Sequence, residues 1–155
     1  MTTTNSLRLA QKLALATPAL LLAGAYISQY GFGLYPCEMC WWQRWPHFAA
    51  LAFAALAFMV QPTRVWISLA ALAIMVSGAI GAFHAGVEYA WWPGITQCSG
   101  VAPTGGNSFE SIQMAPLIRC DVAPWSLFGI SLAGWNFLFS TLAGLSIFTL
   151  VTRKA

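Results

Sequence analysis

Four long stretches of this chain contain no Asp, Glu, Lys or Arg, and that single feature restricts the fold more than any other. They cover residues 13–36, 45–63, 65–87 and 122–152. A bilayer core of about 30 Å needs roughly 20 apolar residues per helix, so each stretch can house one span. With 59% hydrophobic and 7% charged residues, the remainder is too small and too apolar to clothe a soluble domain. The expected fold is therefore an all-α membrane protein, a single domain over residues 1–155 built as a four-transmembrane-helix bundle. Its spans are expected at about 13–34, 41–62, 65–88 and 124–151, with external loops at about 35–40 and 89–123.

The few charges orient the bundle. Arg8, Lys12, Arg64, Arg153 and Lys154 fall at the two ends and in the turn between the second and third spans. The positive-inside rule makes those places cytoplasmic. All four acids, Glu38, Glu88, Glu110 and Asp121, and all four cysteines then lie on the outer side. The net charge of +3 reflects this bias; with so few and so scattered cations, a nucleic-acid surface has no support. A cleavable signal peptide is the alternative for the first span, since Arg8 and Lys12 precede an apolar run that meets Ala23-Gly24-Ala25. The uncharged run continues well past that point, longer than a signal's apolar core.

Within the spans, Pro18 is expected to break the first helix. Ala19, Ala23 and Gly24 in that span, and Gly78, Gly81, Ala82 and Ala85 in the third, suit close helix packing. Tyr30, Tyr35, Trp41, Trp42 and Trp45 at one outer boundary, with Tyr89, Trp91, Trp92 and Trp125 at others, read as interfacial belts. The second outer loop is broken by Pro93, Gly94, Pro103, Gly105, Gly106 and Pro116. It is expected to hold one short interfacial helix built on Phe109, Ile112, Leu117 and Ile118.

The chemistry concentrates in the cysteines. Cys37-Glu38-Met39-Cys40 is a C-x-x-C motif, and Cys98 and Cys120 form a second, separated pair. The motif holds two sulfurs close enough to bridge and often contains a thiol of lowered pKa. Outer-face cysteines sit where disulfides persist. A zinc site made of all four has compatible spacing, and an inert Cys98–Cys120 staple would stabilise by roughly 3 kcal/mol in the chain-entropy model. Against both stands the register of Cys40, Arg44 and His47, at i, i+4 and i+7 on one helical face. A guanidinium one turn from Cys40 favours its thiolate and suits an anionic reduced cofactor. Pro46 should impose a kink or an irregular first turn there. His84 is an ionisable group at membrane depth, either functional or an interhelical hydrogen-bonding residue. His47 and Glu88 are explicable as interfacial polar groups.

Taken together, C-x-x-C with Arg44 four residues on, then His-Ala-Gly-Val-Glu ahead of Trp-Pro-Gly and Cys98, then Cys120-Asp-x-x-Pro-Trp, resemble the disulfide bond formation protein B (DsbB) family over essentially the whole chain. The resemblance implies a thiol oxidoreductase of the bacterial inner membrane with its cysteines facing the periplasm. It implies electrons taken from a periplasmic dithiol protein of DsbA type and delivered to ubiquinone or menaquinone. Catalysis would then rest on Cys37, Cys40, Cys98 and Cys120, with no metal. Cys98 would be attacked by the reduced partner, Cys120 would be its bridge partner, and Cys37 and Cys40 would reoxidise that pair. Cys40, Arg44 and His84 would lie at the quinone headgroup. A quinone is a strong enough oxidant for such a partner, and glutathione is not. Vitamin K epoxide reductase-like proteins also join two cysteine pairs to a quinone, but their C-x-x-C lies late in the chain. A non-enzymatic scaffold with two inert disulfides is the other alternative.

Overall fold

The structure, a computed structural model, describes residues 3–96, 99–100 and 117–153. Four helices dominate: α1 Thr3–Gly31, α2 Glu38–Met59, α3 Thr63–Glu88 and α4 Leu132–Thr152. At 1.5 Å per residue even the shortest exceeds 30 Å. Three of them, counted over Thr4–Gly31, Thr63–Glu88 and Leu132–Thr152, are long and apolar enough to cross a membrane. The exception is α2, whose Glu38, Gln43, Arg44 and His47 lower its hydropathy; the last three point into the protein and are buried.

Packing is arranged for lipid. The interior is built from small residues, Ala10, Ala14, Ala50, Ala54, Ala70 and Ala71, around Ile67, Ile74 and Ile147. The large side chains Leu20, Ile27, Met59 and Leu142 are between 60% and 82% exposed. In water such a surface would be costly; in hydrocarbon the helices gain by close backbone approach instead. The helices form a ring in which α3 packs on α2 and α4, and α1 closes the ring against the same two. A second, smaller cluster of Cys37, Met39, Val87 and Cys120 lies at the end where α2 begins.

That end is finished by short elements. Strands β1 (Ser99–Gly100) and β2 (Leu117–Ile118) pair antiparallel, as do β3 (Ser126–Leu127) and β4 (Ile130–Ser131). Phe128 and Gly129 join β3 to β4 with φ of 51° and 75°, the left-handed pair that a two-residue hairpin demands. The Tyr89 hydroxyl, just past α3, donates to the Gly129 carbonyl at 2.9 Å and accepts from the Ser131 amide at 3.1 Å. Ser131 in turn caps α4 by accepting from the Gly134 amide.

Several expectations need correction. Pro18 does not break α1, and α2 runs as one helix from Glu38 through Pro46. A proline removes one bond, a loss that neighbouring helices make tolerable in a bundle. Since α2 starts at Glu38, Cys40 sits in its first turn and not in an external loop. The last helix begins at Leu132 and not near 124, because β3 and β4 occupy the lead-in. Leu117 and Ile118 belong to a strand pairing and not to a surface helix; Phe109 and Ile112 lie outside the described residues.

Candidate active site

Cys37 is the N-cap of α2. Its backbone is extended, and its sulfur accepts from the Cys40 amide at 3.3 Å, taking up one of the orphan donors of a helix start. That cap brings the two motif sulfurs to 2.9 Å from one another. From α3, His84 reaches the same point with Nε2 3.5 Å from the Cys37 sulfur. From the segment ahead of β3 comes Cys120, so that the reactive atoms of Cys37, His84 and Cys120 all lie within 4.8 Å of one another, each residue buried. The two cysteine regions, far apart in sequence, therefore meet at one place.

The surroundings favour the protonated thiol at Cys37 and Cys120. The hydrogen bond that the Cys37 thiol donates to the Cys40 sulfur, followed by burial, pushes the Cys37 pKa up, and burial raises that of Cys120 against an opposing bond from the Met39 backbone. Glu88 lies one helical turn from His84, with 3.8 Å between Oε1 and Nε2 and both side chains 2% exposed. Cys98 lies outside the described residues. Its neighbour Ser99 pairs with Ile118, two residues before Cys120.

Arg44 shows where a sequence register stops being informative. Cys40, Arg44 and His47 do share a wall, that of a cavity of about 280 Å³ between α1, α2 and α4 whose other lining is largely apolar. The guanidinium, however, bonds to Gln29 Oε1 at 2.7 Å and the Ala25 carbonyl at 3.3 Å on α1, not to Cys40. The rings of Tyr26 and Trp41 lie 4.8 and 4.9 Å from its carbon. Among the described residues no carboxylate pairs with this buried cation. His84 lines a different cavity, of about 320 Å³, together with Cys37, Cys40, Glu88 and Arg119. Cys40 lines both.

Sequence reading passed over a polar network through the bundle centre. Gln43 bonds to His84 and to Asn136, Asn136 also meets Ser77 and His47, and Ser140 donates to Asn136. The available signal was amides and hydroxyls inside charge-free runs, which in membrane helices point at partners.

For a helical, lipid-adapted chain whose C-x-x-C caps a helix beside a third cysteine, comparison with known proteins is decisive. The sequence model of the family "Disulfide bond formation protein DsbB" matches residues 7–150. The chain belongs to the DsbB family. A disulfide bond formation protein B of Verminephrobacter eiseniae is 31% identical over 154 residues, covering 91% of this chain and 83% of the relative. Those of Polaromonas sp. and Polaromonas naphthalenivorans are each 30% identical, covering 92% and 96% of this chain and 88% and 92% of their own lengths. No solved structure matches. DsbB membership makes this a membrane protein of disulfide bond formation and a thiol oxidoreductase.

Proposed function

We propose that this protein oxidises a periplasmic dithiol protein of DsbA type and passes the electrons to ubiquinone or menaquinone. All four helices cross the inner membrane in this reading, with both termini cytoplasmic and the cysteines on the periplasmic side. The observation that carries it is the position of Cys40 on the walls of two cavities. One contains Cys37, His84 and the loop residues beside Cys120; the other contains Arg44 and is otherwise suited to a flat apolar ring.

The exchange steps balance as follows. A partner thiolate attacks Cys98 of a Cys98–Cys120 disulfide, and Cys120 leaves with the electron pair. Cys120 then attacks Cys37, which lies within 4.8 Å, forming a Cys120–Cys37 bond and expelling the Cys40 thiolate. The partner's second thiol displaces Cys98, so the partner departs oxidised. Cys98 then attacks Cys120, which restores the loop disulfide and leaves Cys37 and Cys40 reduced. Cys37 and Cys40 then close their own disulfide again, and a quinone held in the Arg44 cavity would supply the acceptor for the two electrons and two protons they give up. Arg44 fits such a ligand because its buried charge has no carboxylate partner among the described residues and would favour an electron-rich oxygen. Its stacked, doubly bonded seat holds it there at no cost of reorganisation. His84 reaches Cys37 and not the Arg44 cavity, so its contribution is to the sulfur chemistry.

The test mixes the purified protein with reduced DsbA-type partner and a soluble ubiquinone or menaquinone analogue. One quinone should be consumed per disulfide formed, and Cys40→Ser should abolish quinone consumption. Partner oxidation that proceeds without quinone loss defeats the proposal.

A further inference from the structure

The hydrogen bonds around Gln43 assign the proton of His84, starting from one fixed point. The Met39 carbonyl can only accept, so the Gln43 atom 3.2 Å from it is the amide nitrogen. The other hydrogen of that NH₂ group points at His84 Nδ1, 2.9 Å away. Nδ1 must therefore be the bare, accepting nitrogen. The Gln43 oxygen meanwhile accepts from Asn136 at 2.8 Å, which keeps the amide from flipping.

We infer that Gln43, oriented by Asn136, is a positioning residue that locks the proton of His84 on Nε2, the nitrogen aimed at Cys37. This rests on the exchange chemistry above for its role, although the lock itself is a property of the reduced protein alone. With Nε2–H as donor 3.5 Å from the Cys37 sulfur, the ring stabilises that sulfur as it is expelled when the loop disulfide is restored. Protonating Nδ1 as well would set an N–H against the amide N–H, so Gln43 opposes a second proton on the ring. Glu88, 3.8 Å from Nε2, competes for the same hydrogen without changing which nitrogen carries it.

The lock has a second effect. Cys37, His84 and Cys120 are spaced like three ligands of a thiophilic cation, and the 3.5 Å sulfur–nitrogen separation already equals an edge of a tetrahedral zinc site, given metal bonds of about 2.0 to 2.3 Å. A histidine ligand needs a bare nitrogen toward the metal and its other N–H on an acceptor. Gln43 enforces the opposite arrangement, which keeps a redox dithiol from becoming a metal trap.

The experiment uses the full reduced chain in detergent with neither partner nor quinone, so its outcome is independent of the electron acceptor. The chain has two histidines, and ¹⁵N-histidine NMR should show the His84 ring neutral, protonated on Nε2. In Gln43→Glu a carboxylate faces Nδ1 and should draw a proton onto it, while Co²⁺, followed by its thiolate charge-transfer band, should bind tighter by roughly 10- to 100-fold. Gln43→Met removes the donor without adding an acceptor and should give mixed tautomers. Should Gln43→Glu fail to fold, the parent spectrum still decides. A parent His84 protonated on Nδ1, or a Co²⁺ affinity equal in parent and Gln43→Glu, overturns the inference.

Discussion

Arg44 is 6% exposed and sits between two aromatic rings with two α1 oxygens to bond. Lysine can keep the charge but not the planar fork, the stacking and both bonds together. Arg44→Lys should raise the quinone concentration for half-maximal turnover by about tenfold, and Arg44→Met by about a hundredfold, as expected for loss of charge-assisted bonds. Single-turnover oxidation of the partner should survive both. Steady-state rates against quinone concentration check this. Cys37 and Cys120 carry a different consequence. Their folded pKa values lie above the ordinary 9.0, so the stability they contribute is complete below that pH and is lost as pH rises beyond it. The reduced protein should therefore lose thermal stability above about pH 9, and alkylation of Cys37 should accelerate over the same range. Of the residues brought together here, Cys37, Cys40 and Arg44 could be picked out by spacing, although the bonds of Arg44 to α1 could not. Gln43 and Asn136 were not legible, since their meaning lies in partners 41 and 93 residues away.

At the scale of elements, charge-free runs reveal helices well and their ends poorly. Cys37 caps α2 with a sulfur, a residue no capping rule favours, and the Ser126–Ser131 hairpin hides inside an apolar run. Just before the end of α3, Gly86 shows how tightly the following turn folds back. A Cβ there would lie 2.0 Å from Trp92, whose indole donates to the Phe83 carbonyl at 3.0 Å and stacks on the Phe83 ring at 5.7 Å. Gly86→Ala should unseat Trp92 and cost about 1 to 3 kcal/mol, readable as a lowered Tm with Trp fluorescence shifted. An unchanged Tm would mean that the turn moves freely.

For the whole molecule, the inverted distribution of small residues inside and large ones outside was foreshadowed by composition, and the ring order of helices was not. The proposed topology predicts that a membrane-impermeant maleimide reaches loop cysteines in reduced, intact spheroplasts. Labelling only after permeabilisation would reverse the orientation. The clasp of Tyr89 on the hairpin governs something broader. It fixes the chain at Gly129 and Ser131, leaving only a short leash back to Cys120. A thiol on such a leash meets Cys37 at an effective concentration in the millimolar range or above, so the internal exchange can outrun capture of Cys120 by thiols in solution.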